Sequence, residues 1–298
     1  RSLLHRPRPA PDFPRTAVAL RGARFDVGQL ARFCRSTGFV VRDTVPLPFP
    51  HLLSFPLQVR LLVGEGFPFR LLGLVHVRQG FEQHRPLVVD EPLDIDVRAV
   101  GMRAHQRGAT VDLLTQVRAR GEEEVVWIGR SRYLARGVWM PGPIAAATDR
   151  LPVPAGAGTR WRVPADTGRS YAGVSGDVNP LHLCAATARL LGFHRALAHG
   201  MWTASRSLAA LGGSPPAAAR FDAEFHAPLL LPATVRHLVA RSEFEGSPGW
   251  STAVRSRDGS KLHLVGRLAE IEPSLGVDPV AGADHHEVPG SPSGTLSP

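Results

Sequence analysis

Two stretches of this chain match without a gap. "TQVRARGEEEVVWIGR" begins at Thr115 and "TAVRSRDGSKLHLVGR" at Thr252, 137 positions later (252 against 115). Thr, Val, both arginines and the closing Gly-Arg coincide. Each stretch alternates apolar and polar residues around a turn, the pattern of a β-hairpin, and Asp258-Gly259 is a strong turn signal. The match continues upstream, where "FEQHRPLVVDEPLDIDVRAV" (81–100) resembles "FDAEFHAPLLLPATVRHLVA" (221–240). Such a repeat constrains the fold more than any composition does: one unit is written twice, and both copies must adopt related structures.

Within each half, helical material precedes the strands. "VGQLARFCRSTGF" (27–39) and "LHLCAATARLLGF" (181–193) both end in Gly-Phe and are taken as equivalents. A second apolar helical stretch follows in each, "FPHLLSFPLQVRLL" and "LAHGMWTASRSLAAL", with Leu52, Phe55, Leu57, Leu208 and Leu211 expected in the core. Helices followed by consecutive antiparallel strands give an α+β class, a sheet wrapped around a helix. Paired side by side, two such units would merge their sheets and protect edge strands. The expected boundaries are a first unit at 16–136, a linker at 137–158 and a second unit at 159–272. A Pro/Gly/Ser-rich tail at 273–298 is expected to be disordered.

Composition narrows the partners. Two cysteines, Cys34 and Cys184, sit one in each half and do not form a secreted disulfide framework. Net charge is +9, and Lys261 is the only lysine, so the basicity is arginine scattered among apolar residues. With two Tyr and no basic–aromatic interleaving, no stacking platform for nucleic acid is formed, and no nucleic-acid partner is expected. Attraction to an acidic small molecule or acyl carrier is compatible with the charge. The best apolar run, from His51 to Val77, is broken by Arg60, Glu65, Arg70 and two prolines, so no membrane span is expected. "RSLLHRPRPAPDFPRT" lacks a signal-peptide core, which with reduced thiols points to the cytoplasm.

The chemistry-bearing stretch is "SGDVNPLHL" (175–183). Locally it is a helix start: Asn179 caps free N–H groups, Pro180 suits the first helical position, and Asp177 complements the helix dipole. The first half, "ARFDVGQLARFCRSTGF", has Asp26 but neither the Asn-Pro nor the His. A cap needed only for folding would recur in both copies, so the asymmetry speaks for function.

"YAGVSGDVNPLHLCAATARLLGFHRALAHGMW" (171–202) resembles the hydratase-2 motif of the MaoC-like (R)-specific enoyl-CoA hydratases and 3-hydroxyacyl-thioester dehydratases. "PFPHLLSFPLQVRLL" and "FPFRLLGLVHV" resemble the degenerate first unit of the family's two-unit members. The resemblance implies a double hot-dog fold, each unit a long helix wrapped by an antiparallel β-sheet. It implies water addition to, or removal from, the α,β double bond of an acyl thioester of coenzyme A or acyl carrier protein. It assigns Asp177 and His182 as acid and base, Asn179 as orienter of the water or hydroxyl, and the Gly200 backbone N–H as oxyanion donor. No metal or redox cofactor is implied. Two other readings are kept: a thioesterase on the same fold, and a non-catalytic thioester-binding scaffold subunit. Either a monomer or a homodimer of the whole chain fits.

Among the other histidines, His199 is expected to position a helix start and His51 to be a structural group in the first unit's matching place. His76, His84, His194, His226 and His263 have no identified partner, and "DHH" (284–286) suggests adventitious metal binding at most. Ser205 is expected to bond its own helix backbone. The first unit is expected to offer room for a long acyl chain beside its helix.

Overall fold

The computed structural model describes residues 17–144, 150–156, 158–212, 216–244, 246–273 and the backbone of 285–288. The first unit runs β1 (Ala17–Ala23), α1 (Val27–Thr37), α2 (Pro50–Val63), β2 (Leu74–Gln83), β3 (Leu93–His105), β4 (Gly108–Ala119) and β5 (Val125–Arg136). The second runs β6 (Thr159–Val163), α3 (Thr167–Ser175), α4 (Pro180–Leu183), α5 (Ala185–Leu190), α6 (Gly200–Ala209), β7 (Ala219–Phe225), β8 (Ala233–Phe244), β9 (Ser247–Ser256) and β10 (Leu262–Glu270). Most of the expected tail lies outside the described residues, but β11 (His285–Val288) pairs in parallel with β1.

All the strands form one sheet in the order β11-β1-β3-β4-β5-β2-β7-β10-β9-β8-β6. The order is a mirror about the β2–β7 seam, where Phe81 lies opposite Phe221. Each half curls around its central helix, α2 or α6, and the two helices share one continuous core. This is the double hot-dog arrangement that the family resemblance implies. Leu52, Leu57 and Leu208 are buried, and Phe55 and Leu211 are partly so.

The repeat now has a physical reading. Its two hairpins are β4–β5 and β9–β10. Thr115 and Thr252, the first residues of the match, are both fully buried beneath the central helices. Gln58 of α2 donates to Thr115 Oγ1 at 3.3 Å, and Ser207 of α6 lies 2.7 Å from Thr252 Oγ1. The repeat's closing glycines make room for rings: a Cβ on Gly129 would lie 2.6 Å from Trp127, and one on Gly266 3.0 Å from Phe221.

One equivalence in the sequence reading is corrected. The counterpart of α1 is α3, not 181–193. Each follows the first strand of its unit and ends on a left-handed glycine, Gly38 (φ 88°) and Gly176 (φ 74°), 138 residues apart (176 against 38). Segment 181–193 forms α4 and α5, separated by Cys184 in an extended conformation. They lie in the connection between the glycine cap and the central helix, residues 39–49 in the first unit and 177–199 in the second. The confusion has a cause. Helix α3 is only nine residues long and carries Gly168 and Gly173, so its helix signal is weak.

The two units are tied by hydrogen bonds from side chains to helix-end carbonyls. Trp202 Nε1 donates to Ser36 O at 2.9 Å, Arg206 Nη1 to Thr37 O at 3.2 Å, and Gln29 Nε2 to Val174 O at 2.7 Å. Both thiols are free: Cys34 is buried in the core and Cys184 half-buried.

Each unit also buries a neutral histidine against its helix. His51 on α2 is held down to about 3, mainly by burial, with nearby His76 adding to the effect. His237 on β8, within 3.0 Å of Ser207 Oγ and 2.6 Å of Thr252 Oγ1, is held down to about 4 by burial and then by Arg206. In the unfolded chain both would take up a proton near pH 6.5, so the unfolded state binds more protons below that pH. Stability is therefore complete above about pH 6.5 and falls on acidification toward pH 4, by about 1.4 kcal/mol per pH unit for each such group. Thermal melts between pH 7 and 4 are expected to show this fall. His237→Asn, which keeps a polar partner for Ser207 and Thr252, is expected to shallow it; an unchanged slope would contradict the assignment.

Candidate active site

The site forms where α3 stops. Gly176 takes the left-handed conformation that ends the helix, and its N–H bonds Ala172 O. A relay of side-chain turns then carries the chain into α4. Asp177 N–H donates to Ser175 Oγ, Asn179 N–H to Asp177 Oδ1, and Leu181 N–H to Asn179 Oδ1, each at 3.2 Å. Asn179 is therefore the N-cap of α4 and Pro180 its first residue, as the local sequence reading has it. The same relay fixes the Asp177 carboxylate at the turn.

His182 lies one turn further on. Its Nδ1 is 2.9 Å from Leu197 O, so Nδ1–H donates and Nε2 carries the lone pair. Leu197 N–H returns a bond to Leu181 O at 2.9 Å, locking the two segments together. His199, buried at 3 % exposure, stacks on His182 with ring centroids 3.7 Å apart. Its Nε2 lies 3.0 Å from Asp177 O and 3.7 Å from Asp177 Oδ2, so Nε2–H holds the Asp177 loop against the start of α6. This is the positioning role expected of it.

Ligand-type atoms of Asp177, His182 and His199 all lie within 4.8 Å of one another. Such a cluster could also be a metal site, but His199 Nε2–H and His182 Nδ1–H are both donated to carbonyls. The lone pair left on His199 is that of Nδ1, which is buried without a partner; the Asp177 carboxylate and the His182 Nε2 lone pair are left as an acid–base pair. Burial raises the Asp177 carboxyl above its ordinary range, opposed by His182 and the Asn179 N–H. Burial lowers the His182 imidazole, opposed by its bond to Leu197 O and by Asp177. His199 is held well below the usual imidazole range by burial and by His182. The Asp177 side chain keeps 29 % exposure, so the pair is reachable.

Gly200 opens α6. His199 precedes it in an extended conformation, and no side chain caps the helix, so its first-turn N–H groups face outward with the positive end of the dipole. A Cβ on Gly200 would lie 3.1 Å from the Phe225 ring. Gly200→Ala is expected to crowd Phe225 and push the helix start away from a bound oxygen. A drop in kcat of about 10²-fold, the scale of a lost oxyanion donor, with thioester binding less affected, is the expected outcome. Wild-type kcat in this variant would remove Gly200 from the site.

The first unit cannot repeat this chemistry. Its central helix begins with Pro50, which has no N–H to offer, and its shorter connection carries no histidine, its one carboxylate, Asp43, being exposed. His51 sits within α2 rather than at its cap, buried against Phe55 and Phe81.

Several expectations for other residues change. His76 has close partners, stacking on Tyr133 at 4.7 Å and packing at a tilt on Phe225 at 4.8 Å. His226 lies 3.7 Å from Glu224, His84 3.6 Å from Glu82, and His263 Nδ1 donates to Ala227 O at 2.9 Å. Ser205 makes no bond to its own helix; its buried hydroxyl faces the Tyr171 phenol. Gly168 in α3 is a site residue that the sequence reading missed. A Cβ there would meet His182 O at 2.2 Å and Leu197 O at 2.9 Å, so its bareness lets the helix lie against both backbones that hold the imidazole. The only sequence signal was a glycine in the first turn of a helix.

Comparison with known proteins points to one family. The family model described as MaoC like domain matches residues 152–254, which spans Asp177, His182 and Gly200. A Mycobacterium tuberculosis protein named 3-hydroxyacyl-thioester dehydratase X is 33% identical over 255 residues, 84% of this chain and 88% of its own length. A crystal structure of HtdX of Mycobacterium tuberculosis superposes with a TM-score of 0.73 at 32% identity, over 86% of this chain and 100% of that one. A MaoC-like dehydratase from Phytophthora capsici shares the fold at 18% identity, with a TM-score of 0.68 over 88% of this chain and 97% of its own. On its sequence, its double fold and these relatives, the chain belongs to the MaoC-like dehydratase family of enzymes.

Proposed function

We propose that this enzyme interconverts trans-2-enoyl thioesters and (3R)-hydroxyacyl thioesters, carried on coenzyme A or acyl carrier protein. One observation carries the reading. Asp177 and His182 meet, both half-buried, with the imidazole's tautomer fixed, beside a helix N-terminus that begins on glycine. The 3-hydroxyacyl-thioester dehydratase name of the relative supports it.

In hydration, the thioester oxygen accepts the Gly200 N–H, which stabilises the enolate charge as water adds to C3. The pair starts without a proton. The attacking water gives its proton to His182 Nε2 or the Asp177 carboxylate, and the pair then delivers it to C2. Dehydration reverses these steps: the pair takes the C2 proton and returns it to the leaving hydroxyl. Asn179 spends its Oδ1 on the helix cap, so its amide N–H group is the end that meets the water or hydroxyl.

The test is loss of enoyl absorbance with trans-2-enoyl-CoA substrates, with free thiol measured in parallel. Hydration without thiol release supports the reading; thiol release would make the protein a thioesterase, and tight binding without turnover a scaffold. The pH profile is a second check. The deprotonated pair is the active form, and burial holds His182 below its ordinary 6.5. kcat/KM is therefore expected to be flat at neutral and mildly alkaline pH and to fall on acidification with a midpoint below 6.5. A midpoint above 6.5 would contradict this assignment.

A further inference from the structure

The first unit lends the site a wall that the hydration chemistry does not use, and the wall is polar. The Phe225 ring, which a Cβ on Gly200 would meet at 3.1 Å, packs at a tilt on His76 of β2, and His76 stacks in turn on Tyr133 of β5. The Tyr133 phenol donates to Gln58 Oε1 at 3.2 Å, and Gln58 donates onward to Thr115. His51, about two helical turns before Gln58 on α2, completes the group. Its Nδ1 and the Nε2 of His76 are buried with no hydrogen-bond partner among the described residues. The Asp177 charge adds to burial in pushing the Tyr133 phenol up, so this wall stands within electrostatic reach of the acid–base pair.

A wall for a plain hydrocarbon chain would be made of leucine, valine and phenylalanine. Here two imidazoles, a phenol and an amide are gathered behind Phe225, with His76 against the ring that a Cβ on Gly200 would meet. A buried nitrogen without a partner is costly to the folded state, and a ligand oxygen that reaches it recovers that cost on binding. Neutral imidazole can serve such an oxygen as donor or as acceptor, which suits a hydroxyl or a ketone.

We propose that His51, His76, Tyr133 and Gln58 read an oxygen function on the substrate's acyl chain, so that the preferred substrates are enoyl and 3-hydroxyacyl thioesters carrying a further hydroxyl or keto group beyond C3. This rests on the hydratase reading and deepens it. It gives chemical character to the room for a long acyl chain expected beside the first unit's helix. The distance spanned by one aromatic ring from Gly200 places the reading wall near C5 to C7 of a chain whose C1 lies at the Gly200 N–H.

The experiment compares kcat/KM for trans-2-octenoyl-CoA with that for the same chain bearing a hydroxyl or ketone at C5 or C7. Wild type is expected to favour one of the oxygenated chains by about tenfold or more, the scale of one net buried hydrogen bond. His51→Leu and His76→Phe are expected to bring the ratio toward one, chiefly by losing activity on the oxygenated chain. Because the ratio is taken within a single preparation, partial unfolding of a variant does not imitate the effect. A wild-type ratio of one or less at both positions, or a ratio that neither variant moves, would overturn the proposal. If no chain is turned over, the hydratase reading fails. The proposal is then read from dissociation constants of saturated octanoyl-CoA and its C5 and C7 hydroxy and keto counterparts, with equal affinities overturning it.

Discussion

Asp177→Asn and His182→Gln are each expected to lower kcat for enoyl-thioester hydration by roughly 10²–10⁴-fold, the range of a lost general acid or base. Neither exchange disturbs the scaffold that holds the site. Asparagine at 177 still offers an oxygen to the Asn179 N–H, and its backbone carbonyl still receives His199 Nε2–H. Glutamine at 182 keeps an N–H donor for Leu197 O. The two groups work as one pair, so the double variant is expected to cost little more than the worse single one. Steady-state hydration rates, with folding checked by thermal melts, measure this. Either single variant within tenfold of wild type would remove that residue from the chemistry.

The second large effect is structural and was invisible in the sequence. Gly168→Ala would place a methyl group 2.2 Å from His182 O and 2.9 Å from Leu197 O. Both obstacles are backbone, and both belong to the segments whose mutual bonds orient the imidazole. The clash cannot be relieved by a rotamer change. Overpacking of this kind costs about 1–3 kcal/mol, and the displaced His182 is expected to lower kcat further than the loss of stability explains. Gly173, five residues along the same helix, meets nothing within 4 Å, so Gly173→Ala is the control. It is expected to stabilise the protein by about 0.4–1 kcal/mol through helix propensity and a less flexible unfolded chain. Equal melting temperatures for the two variants would show that the packing of α3 against 182 and 197 is not as tight as described.

The repeat made the fold legible because it recorded packing. The matched threonines lie beneath the two helices and the matched glycines clear space for Trp127 and Phe221, and such contacts leave residues at a fixed offset. What it did not record was the extra length between Gly176 and Gly200. Periodicity treated 181–193 as the copy of α1, because apolar residues ending in Gly-Phe look alike whether they form one helix or two short pieces around an extended Cys184. The site residues Asp177, Asn179, His182 and Gly200 were legible because their types are unusual together in a short span. The supporting groups were not. Gly168 acts by what it lacks, the Leu197 carbonyl belongs to the backbone, and His76 and Tyr133 approach the site across the β2–β7 seam, over sequence separations that no local pattern encodes.

The asymmetry between the units is also physical. Both helices α2 and α6 lie in the same curled sheet, but one starts on Pro50 and the other on Gly200. A proline at that position removes the very N–H group that an oxyanion needs. On the proposed reading, the first unit contributes walls and the second contributes protons.

The most direct measurement of the central claim is to offer the enzyme separated (3R)- and (3S)-3-hydroxybutyryl-CoA and follow the appearance of the enoyl thioester. The account predicts dehydration of the 3R alcohol alone, lost in both Asp177→Asn and His182→Gln. Dehydration of the 3S alcohol, or release of free coenzyme A in place of the enoyl product, would contradict it.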